Sequence, residues 1–156
     1  MGRRDLGLQR MGEVVAFLDT NVILRYLLND IPEQAEAVDE LLREAEEGKI
    51  LLRTNALVIA EIVWTCESYY ELPKDEIRDK VLMILNTPGL EVEDAELLAE
   101  AVVLYVEKNV DFIDAYNACW AREEGIPLAY TFDLKHFRRF GWLESRAPGR
   151  STGGRS

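Results

Sequence analysis

Four acidic residues stand at positions where a fold could gather them into one site: Asp19, Glu61, Asp114 and Asp133. Asp19 ends an apolar run, Glu61 interrupts an apolar helix, Asp114 lies near a predicted helix start, and Asp133 follows a second strand-like segment. Clustered carboxylates repel one another unless a cation neutralises them. An all-oxygen site suits Mg²⁺ or Mn²⁺, and such an ion could activate water for attack on a phosphodiester.

Asp19 directly follows the uninterrupted apolar run at 14–18. A run of this kind predicts a central parallel strand that is buried on both faces. Ligands of α/β proteins bind beyond the carboxyl ends of such strands, so Asp19 and its neighbour Asn21 occupy a functional position. The alternative is that Thr20 or Asn21 caps the next helix and that Asp19 assists the cap.

Glu61 lies in segment 56–64, whose apolar residues predict a helix that is buried on all sides. A buried carboxylate needs a partner or a cation. A cation would make Glu61 a metal ligand, whereas an ion pair with Arg25 or Arg53 would make it a structural residue. Trp64, on the same helix, is interpreted as a core residue.

The two remaining acidic residues also have structural explanations. Asp111 is a predicted N-cap, and Asp114 is three residues later, the spacing of a capping-box partner. Asp133 could simply open the short turn at 134–137. His136 is the only histidine in the chain, and we interpret it as a surface or packing residue.

Net charge limits the ways in which this chain could bind nucleic acid. The value of −11, with a sequence pI near 4.6, excludes a broad basic binding face. It does not exclude an enzyme that reaches nucleic acid through metal ions, because the ions reverse the local field. A small basic cluster of Lys135, Arg138 and Arg139 lies beside Asp133. This cluster could hold an RNA phosphate, or it could be a solvated turn.

The length of 156 residues suits one domain with a sizeable core. Strand-like and helix-like apolar patterns alternate along the chain, which predicts an α/β fold with a mainly parallel sheet and helices on both faces. We place the domain at residues 13–144 and treat 1–12 and 145–156 as flexible polar extensions.

Membrane insertion and secretion are not indicated by the sequence. No apolar run reaches the roughly 20 residues that span a bilayer, and the polar N-terminus lacks a signal core. Cys66 and Cys119 are far apart in sequence and form no CxxC pair, so we expect reduced thiols and no zinc site. These features together predict a cytoplasmic protein.

Four segments of the chain resemble the acidic motifs of the PIN domain, and more narrowly those of VapC-type toxins from toxin–antitoxin pairs. They are LDTNVIL at 18–24, AE at 60–61, DFIDA at 111–115 and TFD at 131–133. The resemblance runs in order from about Val14 to Leu143 and therefore covers nearly the whole predicted domain. The first and third motifs are fairly specific together, whereas the single glutamate is not.

The resemblance implies a three-layer α/β/α, Rossmann-like PIN fold and a ribonuclease that depends on Mg²⁺ or Mn²⁺. It also implies an RNA substrate, a VapB-type antitoxin as partner and the role of toxin in a type II pair, and we expect a homodimer. By motif position, the metal ligands are Asp19, Glu61, Asp114 and Asp133. Thr20, Asn21 and Thr131 match polar positions that flank the site, and Asp111 is explained by capping alone.

Two rival functions follow from the same residues. One is a catalytically inactive PIN-like scaffold that binds RNA or a protein partner, although a dead site would have no reason to keep four clustered charges. The other is a phosphatase of the haloacid dehalogenase type, which also begins with an apolar strand that ends in aspartate. That class would require a second acid two residues after Asp19, and the chain has Asn21 there.

Overall fold

The computed structural model describes residues 14–149, which form five strands and seven helices. In chain order the strands are β1 Val14–Phe17, β2 Ile50–Thr54, β3 Leu90–Val92, β4 Leu128–Tyr130 and β5 Glu144–Arg146. The helices are α1 Thr20–Leu28, α2 Pro32–Glu46, α3 Ala56–Ser68, α4 Lys74–Leu85, α5 Ala95–Glu107, α6 Phe112–Glu123 and α7 Leu134–Phe137. The predicted extension at 1–12 lies outside the described residues, whereas β5 extends two residues past the predicted boundary at 144.

All strand pairings in the described chain are parallel, as the alternating pattern predicts. The strands β1, β2 and β3 form one sheet in that order, with Val15 opposite Leu51 and Leu52 opposite Leu90. The strands β4 and β5 form a second, two-stranded parallel sheet. Parallel pairing places the carboxyl ends of β1 and β2 at one edge, and the residues that follow both strands therefore lie on the same side of the sheet.

The burial predicted for β1 is wrong. Among the described strands, β1 pairs only with β2 and forms an edge of its sheet, and Val14 and Phe17 are 61% and 60% exposed. An apolar run predicts a strand from local composition, but burial on both faces depends on which strands and helices pack beside it. Leu18, the last residue of the run, is only 3% exposed and belongs to the core.

The core lies between β2 and the helices α3 to α6. Leu52 of β2 and Ile59 of α3 are fully buried, and so are Leu98, Val102 and Tyr105 of α5. The helices α5 and α6 pack against each other and carry small buried side chains. These are Ala101, Ala115 and Ala118, each fully buried. Packing of this kind fixes α6, the helix whose first turn carries Asp114.

Both cysteines are free thiols, as predicted, and both are buried in the helical core. Burial raises the pKa of the Cys66 thiol, and it raises that of Cys119 to about 11. Thiols of this kind remain protonated and behave as small apolar side chains. Within the described chain, no helix combines the length and the apolar character needed to cross a membrane.

Candidate active site

Asp114, Asp133 and His136 lie together at one end of α6. One ligand atom from each side chain lies within 4.8 Å of the ligand atoms of the other two. Asp114 is in the first turn of α6, while Asp133 and His136 belong to the segment that follows β4. The fold therefore brings together two of the four predicted carboxylates, and it adds a histidine to them. We call these three residues the α6–α7 half.

Local hydrogen bonds fix Asp133 and His136. Asp133 is the N-cap of α7, where its Oδ1 accepts a hydrogen bond from the His136 backbone N–H at 3.4 Å. Its own backbone N–H donates to Thr131 Oγ1 at 2.9 Å. The second carboxylate oxygen lies 2.9 Å from His136 Nδ1. The interpretation of His136 as a surface or packing residue overlooked this contact, although the Asp133–His136 spacing of three residues could have indicated it.

Asp111 and Asp114 have different roles at the start of α6. Asp111 is the N-cap residue, and its carboxylate accepts a hydrogen bond from the Ile113 backbone N–H at 3.1 Å. Asp114 instead lies in the ligand group with Asp133. Capping therefore accounts for Asp111, as the sequence predicts, and Asp114 remains available for a cation.

The pKa values of the two aspartates are shifted in opposite directions. Burial raises the pKa of Asp114, and the charges of Asp111 and Asp133 raise it further. The hydrogen bond from the His136 side chain lowers the pKa of the exposed Asp133 carboxyl. Of the two carboxyl groups, Asp114 is therefore the one for which carrying a negative charge costs free energy. A divalent cation between the two carboxylates would remove that cost.

Asp19 stands at the start of α1, directly after Leu18, whose backbone makes two hydrogen bonds that hold the end of β1. The Leu18 N–H donates to Arg53 O at 2.9 Å, and the buried Thr54 hydroxyl donates to Leu18 O at 3.0 Å. Asp19 occupies the N-cap position, but its side chain makes no capping hydrogen bond and is exposed. Its carboxylate is therefore not committed to the helix, contrary to the capping alternative.

Glu61 lies beside the start of α1. The hydroxyl of Thr20, only 4% exposed, donates a hydrogen bond to Glu61 Oε1 at 2.7 Å. Asn55 caps α3 by accepting from the Val58 N–H at 3.1 Å, which sets the position of α3 directly after β2. We call Asp19, Thr20 and Glu61 the α1–α3 half.

The prediction that Glu61 is buried is wrong. Glu61 is exposed, and so are Leu57 and Trp64, which lie on the same face of α3 and are 81% and 65% exposed. Trp64 is therefore not a core residue, again contrary to prediction. An apolar composition predicted burial on all sides, but within residues 14–149 the other elements cover only one face of α3.

The alternative partners of Glu61 are engaged elsewhere. Arg25 Nη1 lies 2.6 Å from Asp30 Oδ1, and Arg53 Nε lies 3.5 Å from Glu91 Oε1. Glu61 is thus held by a neutral hydroxyl, and its negative charge remains available to a cation.

Two comparisons with known proteins bear on this arrangement. A family model described as the PIN domain matches residues 16–143. The chain belongs to the PIN domain family. A protein named VapC ribonuclease, from Aquifex aeolicus (strain VF5), is 28% identical over 125 residues, which cover 80% of this chain and 91% of that protein.

Membership of the PIN domain family confirms the predicted three-layer α/β/α fold class. All four predicted carboxylates of this PIN domain lie within the matched range. The structure gathers Asp114 and Asp133 with His136, whereas Asp19 and Glu61 are not members of that group of ligand atoms. The assignment of all four as metal ligands therefore stays a prediction.

The donor atoms of the α6–α7 half suit a divalent cation. Two carboxylates and one imidazole converge, and burial together with the charges of Asp111 and Asp133 raises the pKa of Asp114. Carboxylate oxygens suit Mg²⁺ and Mn²⁺, whereas imidazole is a ligand for later transition metals. The residues present therefore fit a bound metal, and Asp114 and Asp133 are the side chains that would hold it.

The three residues of the basic cluster differ in their surroundings, because two are exposed and the third donates to backbone carbonyl groups. Lys135 and Arg138 are exposed and lie beside Asp133 in the sequence. Arg139 instead donates from Nη1 to the carbonyl oxygens of Lys108 and Asn109, at 2.9 and 2.8 Å. Only the first two remain candidates for contact with a phosphate.

Proposed function

We propose that this PIN domain is a metal-dependent endoribonuclease that hydrolyses RNA phosphodiester bonds. The observation that carries the proposal is the convergence of Asp114, Asp133 and His136 at the start of α6. The similarity to a protein named VapC ribonuclease supports RNA as the substrate. The predicted cytoplasmic location is part of the same proposal.

We propose Mg²⁺ or Mn²⁺ as the cofactor, with Asp19, Glu61, Asp114 and Asp133 as its ligands. When bound, the ion supplies an activated water and stabilises the leaving oxygen. Within the protein, Thr131 orients Asp133 by accepting its backbone N–H. Thr20 holds one oxygen of Glu61 and leaves the other free to bind.

Both halves contribute to one site in this proposal. Asp19 supplies a carboxylate from the end of β1 and Glu61 supplies one from α3, while Asp114 and Asp133 supply carboxylates from the starts of α6 and α7. These carboxylates would hold the metal, which would supply charge that attracts a phosphodiester.

The exposed cations Lys135 and Arg138 are the proposed contacts for RNA phosphate next to Asp133. Trp64, 65% exposed and one turn after Glu61, offers a flat face on which an unpaired base can stack. With a net charge of −11, binding of RNA should depend on the bound cations and on these few contacts.

We propose that the chain is the toxin of a type II pair, that its partner is a VapB-type antitoxin, and that it forms a homodimer. The acidic residues of both halves offer a place for a basic side chain of the antitoxin. The exposed apolar side chains of Leu57 and Trp64 flank Glu61 and offer an adjoining apolar surface. Inhibition should then be partly competitive with Mn²⁺, and it should weaken when the basic residue of the antitoxin is removed.

A cleavage assay tests the proposed function. Purified protein is incubated with structured and unstructured RNA in the presence of Mn²⁺, Mg²⁺ or EDTA. Cleavage should require either metal and should be lost in Asp114→Asn. The matched control is Glu44→Gln, because Glu44 is an exposed acidic residue on α2.

The rival function is an inactive PIN-like scaffold, and the same assay distinguishes it. A scaffold would bind RNA or a partner without cutting RNA under any metal condition. Cleavage that persists in EDTA, or an Asp114→Asn protein with undiminished activity, would contradict the metal-dependent mechanism.

A further inference from the structure

The connection between α5 and α6 leads directly to the candidate site. It runs from Lys108 to Asp111, the N-cap of α6, and Asp114 follows in the first turn. Asn109 adopts a left-handed backbone conformation with φ of 51°. The last carbonyl groups of a helix have no partner within the helix, so the carbonyl groups of this connection need donors from elsewhere.

Two cationic side chains supply those donors. Arg139 Nη1 donates to Lys108 O at 2.9 Å and to Asn109 O at 2.8 Å. Lys74 Nζ donates to Val110 O at 2.9 Å. Positive charge is also favourable at the C-terminal end of α5, because the helix dipole is negative there.

Arg139 belongs to the segment that carries Asp133. This segment winds from Asp133 through α7, and the Arg139 backbone N–H donates to His136 O at 3.0 Å. The two hydrogen bonds from the guanidinium therefore close a loop of the structure that contains both aspartates. The path runs from Asp133 to Arg139, across to Asn109, and along the chain to Asp114.

We propose that Arg139 is a positioning residue that sets the separation of Asp114 and Asp133. The inference rests on the proposed function, because it treats these two carboxylates as cation ligands. A ligand pair binds an ion tightly only when its separation is held close to the required value. The Arg139 side chain joins the two backbone segments on which that separation depends.

Other contacts hold the same segment in place. Phe140 is buried at 1% exposure, and Trp142 Nε1 donates to Ala118 O of α6 at 2.9 Å. The hydrogen bond from Arg139 to Asn109 O is exposed to solvent, so a water molecule can replace the guanidinium as the donor to this carbonyl group. Loss of Arg139 should therefore leave the fold intact and loosen the aspartate pair.

The test measures binding of Mn²⁺ alone to the full chain by titration calorimetry. Arg139→Ala should weaken Mn²⁺ affinity roughly tenfold to a hundredfold, as is typical for residues that orient metal ligands. Arg139→Lys should fall between the two, because an ammonium can donate to the carbonyl groups but its side chain is shorter than the one that carries Nη1 to both acceptors. Arg43→Ala, at an exposed position on α2, should bind as the unmodified protein does.

One further variant separates the possible outcomes. Ile84→Val lowers stability at a buried position on α4, and it shows how much affinity is lost through instability alone. If Arg139→Ala binds Mn²⁺ no worse than Ile84→Val, the positioning role is wrong. If Arg139→Ala does not fold, Arg139→Lys carries the test, and unchanged affinity in that variant also overturns the role.

Asp114→Asn distinguishes this inference from the function on which it rests. Loss of Mn²⁺ binding in Asp114→Asn together with normal binding in Arg139→Ala contradicts only the positioning role. Unchanged binding in Asp114→Asn contradicts the metal site itself, and with it both proposals.

Discussion

The two halves of the candidate site hold their carboxylates in different ways. In the α6–α7 half, Asp114 and Asp133 lie close enough to share a ligand group, and their mutual charge helps to raise the pKa of Asp114. In the α1–α3 half, a buried threonine hydroxyl donates to Glu61, and Asp19 stands exposed at the end of β1. The α6–α7 half thus brings negative charges close together, whereas in the α1–α3 half a neutral hydroxyl donates a hydrogen bond to one of the carboxylates.

This difference shows two ways in which a fold can tolerate a group of carboxylates. The α6–α7 half relies on His136, whose side chain contacts Asp133 and lowers its pKa. The α1–α3 half instead leaves both of its carboxylates exposed to water, where a charge costs little. A cation should therefore relieve more repulsion in the α6–α7 half, and variants in the two halves should affect stability differently while both reduce catalysis.

The largest expected effect is on catalysis. Asp114→Asn and Asp19→Asn each keep side-chain shape and remove a charge, one in each half. RNA cleavage at saturating Mn²⁺ should fall by about a hundredfold to a thousandfold in either variant, the usual loss when one group that stabilises transition-state charge is removed. If only Asp114→Asn loses activity, the α1–α3 half is not part of the site. Near-normal turnover in both variants would contradict the assignment of the four carboxylates as metal ligands.

Metal binding should raise the free energy of unfolding, and a variant in one half of the site shows whether that half is responsible. Mn²⁺ at one hundred times its dissociation constant should add about 2.7 kcal/mol to the free energy of unfolding, measured as a rise in melting temperature. Asp114→Asn should blunt this response, because the repulsion that the ion relieves is centred there. Glu44→Gln serves as the surface control. A flat melting temperature across the titration would mean that the carboxylates do not bind the ion.

Local pattern predicted most of the elements, and the strand-end rule placed Asp19 correctly after β1. It did not predict β5, because Glu144–Arg146 has no apolar alternation and pairs as the second strand of a small sheet. Burial of β1 and of Glu61 was predicted wrongly for a common reason. Composition reports what a segment can bury, whereas its neighbours in space decide what it does bury.

Residues whose roles depend on distant contacts were not recoverable from the sequence. Arg139 acts on the carbonyl groups of Lys108 and Asn109, about thirty positions earlier in the chain. The resemblance placed Thr20 beside the site, but it did not predict that the Thr20 hydroxyl donates to Glu61, 41 positions away. The contact between His136 and Asp133 is different, because it is local. The spacing of three residues could have predicted it, although the sequence analysis did not.

A smaller effect should follow from removal of the Thr20 hydroxyl. Thr20→Val preserves the shape of a side chain that is 4% exposed and deletes its hydrogen bond to Glu61. The expected loss is about 1 kcal/mol of unfolding free energy, because water can replace the donor at the exposed carboxylate. Thr20→Ser, which keeps the hydroxyl, should retain that hydrogen bond. Equal urea midpoints for Thr20→Val and the unmodified protein would show that the bond contributes nothing to stability.

The smallest expected effect is the pH dependence of stability in EDTA, where Asp114→Asn and Asp133→Asn should have opposite signs. The raised pKa of Asp114 means that the folded state binds its proton more tightly than the unfolded state does.

Ionisation of Asp114 therefore lowers stability as pH rises through the window above its ordinary pKa. Asp114→Asn should melt slightly higher than the unmodified protein at pH 7, and this gain should vanish in acid, below the ordinary pKa.

Asp133 has a lowered pKa, so its ionised form adds stability at pH 7, and that stability is lost as pH falls through the lowered value. Asp133→Asn keeps one oxygen that can cap α7 but removes the charge and the oxygen that faces His136 Nδ1, so it should melt slightly lower at pH 7. Melting curves of the three proteins between pH 3 and pH 7 make the comparison. A shift of the same sign for both variants would show that the two aspartates do not divide the charge as their contacts indicate.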